Sequence, residues 1–211
     1  MRIVVGGGSP LGLDVAAMNA QRRSRGPAHF RRLYAANADP WQFRRSAYEQ
    51  AKYRKTIESL EGRHFSAAFE VGCSIGVMTR LLAPRCDAIL AVDLIEQPLA
   101  EAREACADQP WVRFERMRVP QKWPDGTFDL IMLSEILYFL SPADIVSVAD
   151  RTARSLAPDG VVLLVNWQGQ SGDPCTGEEA ACAFIERTRG RMESRRHIRE
   201  AGYRLDLLGR R

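Results

Sequence analysis

The chain has 211 residues, 45% hydrophobic and 27% charged, which suits one globular domain with a full core plus extra segments. No apolar run approaches the ~18 residues of a membrane helix. The opening MRIVVGGGSPLGLD is broken by glycines and Pro10, which argues against a signal peptide and for a cytoplasmic protein. The net charge of +4 excludes a strongly cationic binder, and five cysteines without a CxxC pair read as reduced structural thiols with no metal.

Residues 1 to about 28 have no sustained hydrophobic period and read as weakly ordered. IVVGGGSPLG imitates a dinucleotide loop, but no acid-tipped strand follows it. From 29 to about 62 the pattern becomes helical and aromatic, as a lid over the remaining 63–211 core. Asp39 with Pro40 reads as a helix start. Tyr48, Lys52 and Lys55 follow at helical spacing, and Tyr48 with Lys52 reads as an amphipathic seam.

The core alternates in the βαβ manner, predicting strands at 67–71, 88–93, 111–115, 128–133, 161–167 and 203–209. Helices are expected at 97–107, 142–156 and 177–199, the second stopping near Pro158-Asp159-Gly160. The fold class is α/β, a doubly wound, mostly parallel sheet under an N-terminal helical lid. Arg187, Arg189, Arg191, Arg195, Arg196 and Arg199 would line one helix face. Pairing with Glu186, Glu193 and Glu200 is the preferred reading of that face, over contact with RNA.

The most informative stretch is AAFEVGCSIG, 67–76: an apolar strand, an acid and a glycine turn before a helix. Seventeen residues beyond Gly76 a second apolar run ends in Asp93. Together they describe a nucleotide cradle, and the early acid points to S-adenosylmethionine rather than NAD. Gly72, Ser74 and Gly76 let the backbone approach the ligand. Glu70 stands where the cofactor's ammonium, or a water beside it, can be held. Asp93 accepts both ribose hydroxyls, and Leu94 packs on the adenine.

These blocks resemble the class I S-adenosylmethionine-dependent methyltransferases: EVGCSIG their first motif, AVD their second, WPDGTFDLIMLSEILYFL and LAPDGVVLLVNW the blocks through strands four and five. In that family an Asp commonly precedes the strand-four Phe-Asp by twelve residues; counting back from Asp129 gives Met117. The resemblance then implies Met117 as an apolar adenine wall, with the Arg118 N–H reaching the ring. YAANADPWQFRRSAYEQAKYRKTIESL and the tail from PCTGEEA through YRLDLL resemble the nodulation protein S family of N-methyltransferases. That likeness implies a chitooligosaccharide ending in free glucosamine as acceptor, in Nod factor biosynthesis.

Methyl transfer needs alignment, exclusion of water and a neutral amine. An amine flanked by electron-withdrawing groups titrates near the ~8 of an α-amino group, so no strong base is needed. Ser134, Glu135 and Tyr138, at the end of strand four, are expected near the methyl. Glu135 is the preferred proton acceptor, and Tyr138 orients the amine. Trp41 covers the cofactor or stacks on a sugar. Asp39, Tyr48, Asn166, Trp167 and Gln168 are candidate sugar contacts. SEIL after strand four lacks the Pro-Pro-aromatic pattern of base methylation, so nucleic acid is not the expected partner. A monomer or weak dimer is expected. A small-molecule O-methyltransferase and a non-catalytic cofactor-binding module remain open.

Overall fold

The computed structural model describes residues 22–170 and 172–211. The apolar runs become strands β1 (Ala68–Val71), β2 (Ile89–Asp93), β3 (Val112–Arg116), β4 (Phe128–Ser134) and β5 (Leu156–Trp167), followed by β6 (Met192–Arg199) and β7 (Tyr203–Arg210). They form one sheet of order β3-β2-β1-β4-β5-β7-β6. The first five are parallel, and β7 runs antiparallel to both β5 and β6. Strand order reverses beside β1, so a crevice opens at its carboxyl end and that of β4.

Among the described residues six α-helices accompany the sheet: α1 (Pro27–Ala36), α2 (Ala47–Glu58), α3 (Val77–Leu82), α4 (Glu96–Ala105), α5 (Pro142–Ser155) and α6 (Gly177–Thr188). The central strands are buried on both faces, as their near-continuous apolar runs require. Phe69, Ile131, Leu133, Val162 and Leu164 pack against Ile145 and Val148 of α5 and Phe184 of α6. Ala68, Met132, Leu163 and Leu205 share the opposite core with Tyr53 of α2, Met78 of α3 and Leu99 of α4. Among the described residues no helix is long and apolar enough to cross a membrane. Cys73, Cys86, Cys106 and Cys175 are buried and free, and Cys182 is exposed.

Four expectations are corrected. The helix expected over 177–199 ends at Thr188, and Met192–Arg199 is the edge strand β6. A helix there would project its arginines together, but a strand sends successive side chains to opposite faces. The arginine face is therefore dispersed: Arg187 and Arg191 share Asp150, Arg189 pairs Glu186, Arg196 pairs Glu61 and Arg199 pairs Glu178. Second, no helix starts at Asp39. Its carboxylate accepts the Phe43 and Arg44 N–H groups at 2.8 and 3.0 Å and closes a turn, and Ser46 caps α2 instead. Third, β5 begins at Leu156, before Pro158, with a break in register against β4 between Phe128 and Leu130. Fourth, part of the segment expected to be weakly ordered is fastened down. The Arg25 N–H bonds Phe139 O at 2.8 Å, and its guanidinium reaches Asp173 at 2.8 Å. The IVVGGGSPLG run lies outside the described residues.

Gly76 begins α3 at φ +78°, and a Cβ there would stand 2.9 Å from Ala102 Cβ and 3.0 Å from its Cα. Left-handed strain of ~1–2 kcal/mol plus this contact should make Gly76→Ala destabilising by about 2 kcal/mol. At this chain length that lowers Tm by about 4–8 °C in scanning calorimetry. An unchanged Tm would mean that α3 can move off α4 without loss.

Candidate active site

A cavity of about 470 Å³ sits at the carboxyl ends of β1, β2 and β4, within the range of small-molecule sites. One wall is the glycine turn. Gly72 holds φ +85°, and a Cβ there would lie 2.1 Å from Ile136 Cγ2, so only glycine fits. Ser74 is also left-handed, at φ +49°. Its N–H donates to Asp93 Oδ2 at 3.1 Å, and its hydroxyl meets Tyr34 OH at 2.7 Å. The turn is thus fixed from the sheet side by β2 and from the lid side by α1.

Asp93 ends β2 on the cavity wall beside Leu94, Met117 and Arg118. Its Oδ1 accepts the Ile95 N–H at 2.9 Å. Burial pushes its carboxyl up to about 6, against the pull of the Ile95 and Ser74 N–H groups. It is therefore mostly ionised at neutral pH, a strong acceptor for paired hydroxyls. Met117 is 5% exposed and presents an apolar surface at the same end. A carboxylate, a glycine turn whose Cβ space is closed, and an apolar slot are the features that a nucleoside-bearing cofactor requires.

Across the cavity stands a buried ionic cluster. Glu135 follows β4 at φ +59°, a left-handed conformation that costs on the order of 1–3 kcal/mol and is held by its surroundings. Oε1 accepts Lys52 Nζ at 2.7 Å, while Oε2 accepts the Tyr138 hydroxyl at 3.0 Å and the Trp167 N–H at 2.9 Å. Lys52, on α2 and 2% exposed, also reaches Glu49 at 3.0 Å and lies 5.2 Å from the Tyr48 ring centre. Burial pulls the Lys52 ammonium down, but Glu135 and Glu49 outweigh it and the net shift is upward. Burial drives Glu49 up, with Lys52 opposing and Glu135 and Asp39 adding. Burial also holds the Tyr138 hydroxyl far above its ordinary range, so Tyr138 donates a proton without losing it.

The cavity brings together Trp41, Tyr48, Gly72, Ser74, Asp93, Leu94, Met117, Arg118, Ser134, Glu135, Tyr138 and Trp167 from the sequence reading. It does not bring Glu70, Gly76, Asp39, Asn166 or Gln168 to its wall. Glu70 points to the face of β1 shared with α3, 2% exposed, where burial lifts its carboxyl to about 7, only partly opposed by the nearby Thr79 hydroxyl. Asn166 is fully buried. Sequence reasoning missed Glu49, Tyr34, His29 and Phe30, and it gave Lys52 no partner across the fold. The three-residue step from Glu49 to Lys52 was the one available signal.

Comparison with known proteins agrees with this architecture. The family model described as Nodulation protein S (NodS) matches residues 28–201. Nodulation protein S of Sinorhizobium fredii (strain NBRC 101917 / NGR234) is 28% identical over 178 residues, covering 82% of each chain. That of Bradyrhizobium diazoefficiens is 29% identical over 164 residues, 75% of this chain and 78% of the relative. Among solved structures, a putative methyltransferase from Pseudomonas syringae is 33% identical, with a TM-score of 0.69 over 78% of this chain and all of that one. N-methyltransferase NodS from Bradyrhizobium japonicum WM9, in complex with S-adenosyl-L-homocysteine, shares the fold at 19% identity, with a TM-score of 0.75 over 87% of this chain and 97% of that one.

Proposed function

This chain belongs to the nodulation protein S family, and from that membership we propose that it is an S-adenosylmethionine-dependent N-methyltransferase. Its acceptor is the free amine of the terminal glucosamine of a deacetylated chitooligosaccharide, in Nod factor biosynthesis. The observation that carries this reading is the pairing, in one cavity, of Asp93 and the Gly72 turn with the Glu49–Lys52–Glu135 cluster.

In this reading Asp93 holds the ribose hydroxyls, Leu94 and Met117 flank the adenine, and the Arg118 N–H meets its edge. Gly72, Ser74 and Ser134 line the amino-acid end, while Glu70 acts from beneath the loop. When bound, the cofactor supplies an electrophilic methyl: a nitrogen–carbon bond forms as the carbon–sulfur bond breaks, and that electron pair stays on sulfur. The chain's own work is alignment and exclusion of water. Tyr34, Trp41 and Phe43 form the aromatic side of the lid, with Trp41 stacked on Phe43 at 5.4 Å and edge-on to Tyr34 at 5.7 Å. Tyr48 and Trp167 offer faces for a sugar ring. Tyr138 and Glu135 orient the acceptor end.

An O-methyltransferase would need a hydroxyl acceptor, which offers no positive charge for the two carboxylates to complement. Labelled cofactor incubated with chitooligosaccharides, with and without a free terminal amine, tests the choice. Transfer to the free amine alone is the expected result. Transfer to the fully acetylated sugar would contradict the amine mechanism.

A further inference from the structure

Glu135 and Glu49 both line the cavity and both touch Lys52, yet their surroundings differ. Each Glu135 oxygen is engaged, and three donors in all converge on that carboxylate. A carboxylate so engaged has little capacity left for a further donor. Its Oε2 bond to the Trp167 N–H also ties the end of β4 to the end of β5. Protonating Glu135 would disturb that tie. Among the described residues Glu49 is engaged by Lys52 alone. Nζ lies 3.0 Å from Oε1, which takes the hydrogen bond, and 2.9 Å from Oε2, which has no hydrogen bond of its own although it is buried. A buried carboxylate oxygen left in that state retains capacity for another donor.

We infer that Glu49 is a catalytic residue of the transfer: it holds the acceptor's ammonium and takes one proton from it, while Lys52 and Glu135 are positioning residues. The inference rests on the amine-acceptor reading above. The acceptor's N–H bond breaks with its electron pair remaining on nitrogen, an O–H bond forms on Glu49, and the proton passes to water as product leaves. The raised carboxyl of Glu49 narrows the gap to an amine that titrates near ~8. The charged or titratable groups facing Glu49 are Lys52, Tyr48 and Tyr53 on its own helix, Glu135 and Tyr138 beyond β4, and Asp39 in the preceding turn. Lys52 alone is cationic among them, and its charge favours the ionised form of Glu49 against the effect of burial. The aromatic face of Tyr48, 5.2 Å from Lys52 Nζ, shows that this corner tolerates an ammonium beside a ring.

The test uses the full chain saturated with S-adenosylhomocysteine, whose own binding reports that the donor site is intact. Calorimetry measures a chitooligosaccharide with a free terminal amine and its fully acetylated counterpart. Glu49→Gln should weaken the free-amine ligand about tenfold or more, the loss of one charge-assisted contact, and leave the acetylated ligand unchanged. In turnover its kcat should fall about 100-fold, the scale of a lost proton acceptor. The acid limb of the kcat profile should also move up toward the ~8 of the amine itself. Glu49→Asp, which keeps a carboxylate, should keep the wild-type limb and recover part of the rate. Glu49→Gln with wild-type amine affinity and an unchanged acid limb would overturn the inference while leaving the amine reading intact. A wild-type chain that neither binds nor methylates the free amine would sink both.

Discussion

Asp93→Ala should abolish measurable binding of S-adenosylhomocysteine in titration calorimetry. In the proposed reading Asp93 makes two charge-assisted hydrogen bonds to ribose hydroxyls, each worth about 1.5–3 kcal/mol. Their loss is roughly 3–6 kcal/mol, or about 10²–10⁴ in Kd. The substitution also frees the Ser74 and Ile95 N–H groups, which Asp93 now accepts at 3.1 and 2.9 Å, so the glycine turn loses its anchor to β2. Asp93→Asn should lie between, because an amide oxygen still accepts. Affinity should depend on pH as well. Burial has lifted the Asp93 carboxyl to about 6, so wild-type affinity falls as the pH drops through that value and the carboxylate is neutralised. An Asp93→Ala chain that binds with wild-type affinity would remove Asp93 from the site.

Lys52→Met should destabilise the fold by about 3–5 kcal/mol, the cost of removing one partner from a buried ionic cluster. For a chain of this length that is a fall in Tm of about 6–20 °C. The reason is geometric: Lys52 is 2% exposed and is the cation between Glu49 and Glu135. Without it the buried Glu49 and the part-buried Glu135 face one another uncompensated, and Glu49 should titrate still higher in the folded chain. A raised folded value means that the fold is penalised at pH above it and relieved as pH falls through it. The variant should therefore regain part of its lost stability near pH 5. The wild-type pair behaves oppositely at the alkaline end. The Lys52 ammonium is raised in the fold, so its contribution is full below the unfolded value of ~10.4 and is lost as pH rises through the folded one. Thermal melts at two pH values decide the matter. A Lys52→Met Tm equal to wild type at neutral pH would show that the cluster contributes nothing net.

The two variants probe the two ends of the cavity, and those ends differed in how visible they were along the chain. Strands β1, β2, β4 and β5 are buried on both faces, so each is a near-continuous apolar run that only a parallel sheet accommodates. Asp93 was legible because it terminates such a run at the right distance from the glycine turn. The edge strand β6 was not legible. Met192 is buried, but Glu193, Ser194, Arg195 and Arg199 are exposed, so its polar composition lacks the hydrophobic alternation that marks a half-buried strand. Thr188 and the following Arg189-Gly190 turn were the available sign that the helix had ended. The Asp39 turn was misread for a related reason. A carboxylate that accepts two backbone N–H groups can close a turn as readily as it caps a helix.

By itself the sequence determined the sheet, the glycine turn and the acid that follows it, because local spacing and apolar continuity encode all three. Only the tertiary structure decided the acceptor end of the cavity. Lys52 meets Glu135 across 83 positions of chain, and no periodicity in either segment records the other. Their meeting depends on where α2 lies in the fold, which brings Lys52 to the residue that follows β4. The same placement leaves one oxygen of Glu49 without a hydrogen bond and fully engages both oxygens of Glu135. The difference between those two carboxylates is a matter of burial and donors, and both are properties of the folded chain.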